Sequence, residues 1–289
     1  MKVLILFLAT ALLFLPGTLH SSDHGWNDRS FMPSGLIFEP LLGNPLESRM
    51  AVQKPFSGPE LYVDLGNTVD IVRWTYTQQD SNRTLRTITI GGSFFAYGYI
   101  TSVEGSRLQV DAIDGFFGAH IVYTSELLNR PWKLRFRFLH QSAHMVDGRY
   151  DRHSETLIGD HLPVSFARDQ IEFTTMHYYG KTRLGGGFGF VVHRYPENIS
   201  PYTIFLAGDR LLYSSTDEAV HWYTGYFVRG ENINSFTFTH SLTAGVKFGT
   251  WHGRGIGVAL HYYNGLNFFG EYFTDRLDYL SIGFSFDFW

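Results

Sequence analysis

The sequence predicts a closed antiparallel transmembrane β-barrel of about twelve strands, and three observations carry that prediction. The first is the segment Asp278–Trp289, which reads D-Y-L-S-I-G-F-S-F-D-F-W. Leu280, Ile282, Phe284, Phe286 and Phe288 alternate with Ser281, Gly283, Ser285 and Asp287. A period of two places the apolar set on one face of a strand and the small polar set on the other. A final strand of this kind fits an outer-membrane barrel, in which lipid-facing and lumen-facing residues alternate. The second observation is that the same alternation recurs along the chain. The third is the pattern of connection lengths between the runs.

Twelve runs read as strands: 48–54, 60–76, 85–99, 107–125, 131–144, 169–180, 182–194, 202–214, 218–229, 234–249, 255–264 and 277–289. Ser235–Gly249 is the clearest. Phe236, Phe238, His240, Leu242, Ala244, Val246 and Phe248 take one face, and Ser235, Thr237, Thr239, Ser241, Thr243, Gly245 and Lys247 the other. A helix would repeat its apolar positions every three or four residues, and none do so here. The second and fourth runs are long enough to hold bulges, and Asp114-Gly115 interrupts the alternation of the fourth. Gly185, Gly186, Gly187 and Gly189 lie inside a strand, where close packing or barrel curvature explains them better than phosphate binding.

An even-stranded barrel with both chain ends on the inner side sends its odd-numbered strands outward, so connections after odd strands should be the long ones. Met145–Arg168, Tyr195–Pro201 and Gly265–Arg276 follow runs five, seven and eleven and are long. The connections around Gly180-Lys181, Ser214–Asp217 and Trp251–Arg254 follow runs six, eight and ten and are short.

The chain begins Met1-Lys2 and continues with the apolar run Val3–Leu15, too short to span a bilayer but suited to a secretory signal. Pro16-Gly17 ends that run, so residues 1–22 are expected to be a signal peptide, cleaved between Gly17 and Ser22. Residues 23–47 read as an irregular lead-in or lumen plug, rich in turn residues (Pro33, Gly35, Pro40, Gly43, Pro45) around an apolar cluster of Phe31, Leu36, Ile37, Phe38, Leu41 and Leu42. Residues 48–289 form the barrel. With no cysteine in 289 residues, disulfides, thiol catalysis, thiolate metal sites and lipoprotein anchoring are excluded. A formal charge of -4 argues against nucleic acid as a partner. An aromatic content of 17%, with mean hydropathy near zero, suits a polar interior and aromatic girdles at the rims.

Three stretches carry a family likeness. They are F-M-P-S-G-L-I-F-E-P-L-L at Phe31–Leu42, L-R-F-R-F-L-H-Q-S-A-H-M-V-D at Leu134–Asp147, and, within Leu260–Phe288, H-Y-Y-N-G followed by R-L-D-Y-L-S-I-G-F-S-F-D-F. In this order they resemble a bacterial family of outer-membrane proteins, domain-of-unknown-function family 1207. The likeness covers most of the mature chain, and the H-Q-S-x-H run is its most specific part. It implies fold and location, but no activity. Trp289 departs from the pattern and is out of phase with the outward phenylalanines, which bears on recognition of the C-terminal strand by the barrel-assembly machinery. The other partners implied are outer-membrane lipids and lipopolysaccharide.

Two sets of residues could carry chemistry. His140, Ser142 and His144 share one face of the fifth run with Leu134, Phe136 and Phe138, while Lys133, Arg135 and Arg137 take the other. With the charged set inward, the His-Ser-His set faces lipid near the outer rim. A hydroxyl beside a histidine is the minimum for acyl transfer and needs a third group to orient the base. Asp147 is the candidate, with Asp151 and Glu155 also in the following loop. The spacing of His140 and Ser142 is similar to that of small outer-membrane lipid A deacylases, although the rest of their motif is missing. The plainer reading makes these residues interfacial polar groups. The second set, Arg135, Arg137, Glu172, Arg183 and Lys247, should point inward, either as a salt-bridged lumen network or as a charged pore wall. His140, His144, His153 and His161 surround one loop, but their spacing matches no defined metal site, and neither metal nor cofactor is expected. Three functions therefore stand: a pore or transporter for small solutes, a lipid-modifying hydrolase using His140 and Ser142, and a structural or adhesive barrel displaying loops 145–168 and 265–276.

Overall fold

Alternation along nearly every strand produces two chemically opposite faces, and twelve such strands close into a barrel in the computed structural model. Residues 28–78, 83–103, 107–127, 130–146, 150–151, 153–157, 164–233 and 235–288 are described; the expected signal peptide, Asp147, His161 and Trp289 lie outside them. The wall strands are β2 (Met50–Pro55), β3 (Glu60–Gln78), β4 (Arg83–Val103), β5 (Arg107–Leu127), β6 (Arg130–Met145), β9 (Phe166–Tyr179), β10 (Thr182–Tyr195), β11 (Tyr202–Ser214), β12 (Val220–Ile233), β13 (Ser235–Gly249), β14 (Gly255–Leu266) and β15 (Arg276–Asp287). A short strand β1 (Asp28–Phe31) precedes them, and a two-residue hairpin, β7 (Tyr150–Asp151) with β8 (Thr156–Leu157), stands between β6 and β9. Among the described residues no helix is long and apolar enough to cross a membrane.

Each wall strand pairs antiparallel with its neighbours, and β15 closes the ring through β2, from Ser281 opposite Pro55 to Phe286 opposite Met50. The seam is narrow on its other side, where β2 pairs with β3 only from Ala51 opposite Asp64 to Gln53 opposite Tyr62. Further along that edge of β3, β1 takes over, pairing Asp28–Phe31 with Thr75–Val72. Closure matters because unpaired backbone groups are costly wherever water is absent.

The register skips one residue at Ile71 in β3, between Asp70 opposite Gly91 and Val72 opposite Ile90. A second skip falls at Asp111 in β5. The interruption read from the sequence at Asp114-Gly115 therefore sits a few residues earlier. Asp114 stays in phase and fully buried, because the lumen supplies donors for it. Gly185 and Gly187 are packing positions: a Cβ on either would lie 1.8 Å from the Thr175 carbonyl oxygen or 2.0 Å from that of Phe173.

The outer face is a continuous apolar belt that includes Phe94 (75% exposed) and Leu206 (66%), with Phe188, Ile204, Leu242 and Phe284 around it. The interior is filled in layers. At the end carrying the long connections (the loop end), Phe268 and Phe269 fold inward. They pack on Tyr62, Tyr97, Tyr99 and Tyr263, with ring centroids 5.4–6.2 Å apart. Asp114 Oδ2 accepts from the Gly270 N–H at 2.8 Å, and Gln141 Nε2 donates to the Phe268 carbonyl at 3.2 Å, fixing this seal to β5 and β6. Charged side chains fill the middle. Toward the opposite, short-turn end, Phe38 and Leu41 pack with Val122, Met176, Phe205 and Phe227.

Candidate functional site

The alternation of β6 dictates the centre of the site. Lys133, Arg135 and Arg137 must all project inward, and such a column of cations requires counter-charges in a space with little water. β9 supplies one, since Glu172 lies directly opposite Arg137 and accepts from its Nη2 at 3.1 Å. The segment 33–49 supplies the other. It leaves the sheet edge after β1, crosses the lumen and rejoins the wall as β2. Glu47 accepts from Arg135 Nη2 at 2.6 Å and Nη1 at 3.0 Å, and from Arg137 Nη1 at 3.4 Å. Arg135 also reaches Glu172 at 3.3 Å, so two arginines and two glutamates form one buried network. Burial alone would push the Glu47 carboxyl up; Arg135 and Arg137 outweigh it and hold it at about 2.

A second anchor lies closer to the turn end. Glu39 meets Lys133 Nζ at 3.0 Å and His252 Nδ1 at 3.2 Å, and accepts from Tyr178 Oη at 3.2 Å. Burial raises its carboxyl, but His252, Lys133 and Arg183 together hold it well below the usual carboxylate range. Arg183 donates to the Glu39 carbonyl at 2.9 Å and to the Pro40 carbonyl, and pairs with Asp209 at 2.6 Å. Asp209 in turn accepts from the Leu42 N–H at 3.4 Å, and Asp70 from the Ile37 N–H at 2.9 Å. Beyond the anchors, Ser48 Oγ and Thr68 Oγ1 share a hydrogen bond at 2.7 Å, and Arg49 pairs with Asp64 at 3.1 Å.

Arg135, Arg137, Glu172, Arg183 and Lys247 thus all project into the lumen, and the first three share one network. Lys247 stands apart, bonded to Asp287 at 2.6 Å and to the carbonyls of Trp251 and Gly253 at 3.1 and 2.8 Å. Sequence reasoning missed Glu39, Glu47 and Asp209 as the residues that meet these cations. The available signal was Glu39 and Glu47, the two glutamates within the apolar, turn-rich stretch 31–47 of the lead-in. Between the plug and the turn end a chamber of about 580 Å³ remains, lined in part by Leu41, Leu42, Ala51, Leu211, Ala259 and Trp251.

The outer set is arranged differently. His140 lies outside the barrel with its ring on Phe117, centroids 4.4 Å apart. Its Nδ1 is 2.6 Å from Oδ1 of Asp169, the residue directly opposite on β9. His193 Nδ1 stands 3.7 Å from the other Asp169 oxygen. Asp169, on the neighbouring strand, is therefore the acid behind His140. Ser142 shares this face, but its hydroxyl makes no hydrogen bond among the described residues. His144 is exposed beside it. Among the described residues no three His, Asp or Glu side chains are grouped to hold a metal ion.

No curated protein and no solved structure matches the chain. A family model described as "Protein of unknown function (DUF1207)" matches residues 17–288, nearly the whole sequence. A closed twelve-stranded barrel with a lumen bridged by its own N-terminal segment is thus the architecture of a member of the DUF1207 family, to which this chain belongs.

Proposed function

We propose that the protein is an outer-membrane barrel that works as a gated carrier of small solutes, held shut by residues 33–49. The apolar belt supports the membrane setting, since water-facing barrels do not surround themselves with exposed phenylalanine and leucine. The loop end then faces outward, and β15 is the strand offered to the barrel-assembly machinery, with outer-membrane lipids and lipopolysaccharide as the surrounding partners. The observation that carries the gated reading is how the plug is held. Glu39 and Glu47 fasten it through ion pairs to Lys133, Arg135 and Arg137, while a ligand-sized chamber stays open beneath it.

Single-channel recording of the mature full-length protein beside its Glu39→Ala/Glu47→Ala variant tests this. Silence in the parent and discrete steps in the variant are expected. Steady open steps in the parent would overturn the sealed state, and silence in both would overturn gating by the plug.

The 2.6 Å contact of His140 with Asp169 favours a second reading, a lipid ester hydrolase at the outer surface. An acid bonded to Nδ1 leaves Nε2 free to act as base for a hydroxyl, with Ser142 as the candidate nucleophile. Fatty-acid release from lipopolysaccharide or phospholipid vesicles should then vanish in Ser142→Ala and fall in Asp169→Asn. Equal release by parent and Ser142→Ala would sink this reading.

A further inference from the structure

The turn-end chamber offers a ligand no unspent charge. Its carboxylates Glu39, Glu47, Asp209 and Asp287 are held by Lys133, by Arg135 and Arg137, by Arg183 and by Lys247 respectively. Arg49, which also lines it, is held by Asp64. Lys181 and Arg210 stand at the rim and are exposed, Lys181 in the turn before β10 and Arg210 in phase with the outward Ile204 and Leu206 of β11. A charged ligand would therefore enter without a counter-ion, which is costly where water is scarce.

What the chamber does offer is a wall of neutral hydrogen-bonding groups. Strand pairing sets Tyr223, Gly245, Ala259, Gly283 and Gln53 side by side in one inward row across β12, β13, β14, β15 and β2. The three middle residues are small, so the long side chains at either end lie over them. Tyr223 Oη is 2.9 Å from the place a Cβ would take on Gly245, and Gln53 Cγ is 3.1 Å from that of Gly283. Tyr223 and Gln53 are only 7% and 8% exposed. Yet the Tyr223 hydroxyl, the Gln53 amide and the neighbouring Ser285 hydroxyl have no hydrogen-bond partner among the described residues, and all three residues line the chamber. His261 stands beside the same row. Thr243 Oγ1 donates to the Leu42 carbonyl at 3.3 Å, so it accepts from the His261 Nδ1–H at 3.0 Å and leaves Nε2 an open acceptor.

Leu41, Leu42 and the Trp251 indole give the chamber its apolar surface, and the Tyr223 ring fixes the indole with centroids 5.7 Å apart. Groups that both donate and accept match hydroxyls, and flat apolar surface matches the C–H faces of a sugar ring. The volume of about 580 Å³ falls within the roughly 300–1,000 Å³ of small-molecule sites.

We infer that the turn-end chamber binds a neutral polyhydroxylated solute, a sugar of one or two rings. Its hydroxyls are met by Tyr223, Gln53, Ser285 and His261, and its C–H face by Trp251 and the plug leucines. This deepens the carrier reading by naming its substrate class, and it rests on that reading only for the claim that the ligand is transported. Binding itself needs neither a membrane nor an open plug.

The test is saturation-transfer NMR on the full-length mature protein in lauryldimethylamine oxide, a detergent without a sugar headgroup, with empty micelles as the blank. The probes are glucose, galactose, mannose, sucrose, maltose and trehalose, beside the charged sugars glucuronate and glucosamine. At least one neutral sugar is expected to receive saturation above the blank and, on titration, to bind about tenfold more tightly than either charged sugar. Tyr223→Phe keeps the ring on Trp251 and removes only the hydroxyl, and Gln53→Leu keeps the side-chain bulk. Together they should weaken that sugar by about tenfold or more. If the double variant fails to fold, Tyr223→Phe alone decides. No transfer to any neutral sugar, equal binding of a charged sugar, or unchanged affinity in the variant would each overturn the inference. Binding without any conductance in the plug variant would retain this site while removing the carrier reading. Conductance without binding would do the reverse.

Discussion

Arg135 and Glu47 meet at 2.6 Å in the middle of the lumen, one carried by the wall and the other by the segment that crosses it. Arg135 also touches Glu172, and its guanidinium lies 4.3 Å from the ring centroid of Phe38. One side chain therefore joins the charged layer to the apolar packing of the plug.

Removing the plug's half of that contact is the most direct perturbation. Glu47→Ala leaves two buried arginines sharing Glu172 alone, and breaking a buried pair from one side costs about 3–5 kcal/mol. The thermal midpoint should fall in detergent, and limited proteolysis should cut within residues 33–49 before it cuts the wall. An unchanged proteolytic pattern would mean that Glu47 does not hold the plug.

The same carboxylate sets a pH dependence. Its pKa is about 2 in the folded protein against an ordinary 4.5, so the native state binds fewer protons than the unfolded one between those values. The stabilisation is complete above 4.5 and is lost as pH falls through about 2. Hydrogen exchange or proteolysis of residues 33–49 should accelerate between pH 5 and pH 2, and Glu47→Gln should remove that part of the response. A plug equally protected across this range would contradict the assignment.

The outer belt makes its own prediction. Leu242 sits midway along β13, on the outside of the barrel and exposed. An arginine at mid-bilayer on the lipid face of such a barrel costs about 2–4 kcal/mol. Leu242→Arg should refold into vesicles with correspondingly lower stability, while Thr239→Ser on the inner face should not. Equal refolding of Leu242→Arg and the parent would mean that this face does not meet lipid.

Close packing of the wall is tested at Gly187. A methyl group there would lie 2.0 Å from the Phe173 carbonyl oxygen and 2.5 Å from the Phe205 ring, so β9 and β10 must separate. Overpacking of this kind costs about 1–3 kcal/mol. Gly187→Ala should lower the unfolding midpoint in denaturant, whereas Gly180→Ala, whose Cβ meets no atom within 4 Å but sits at φ +62°, tests turn strain alone.

Most of the wall was legible because period-two alternation is a local signal. Arg135 and Arg137 could be placed inward, and His140 and Ser142 outward, from β6 alone. Their partners were not legible in the same way. Glu47 lies 88 residues before Arg135, and Asp169 lies 29 after His140, contacts that depend on strand register and on the path of the plug. Asp114 misled because a carboxylate within an apolar run looks like a break in a strand. In a filled lumen, with Gln141 and the Gly270 N–H as donors, it is an ordinary inward residue. The short strand β1 left no periodic trace, since four residues are too few to show one.

The pairing of β1 with the turn-end reach of β3 has a mechanical meaning. Residues 32–49 are a strap fastened at both ends, at Phe31 to the sheet edge and at Met50 to the seam with β15. A strap cannot be drawn out of the bore like the free tail of a cork. It can only slacken sideways, or be let go at one fastening. Of the two fastenings, the four-residue ladder of β1 is the shorter, so pulling on the N-terminal end loads β1 before it loads the wall.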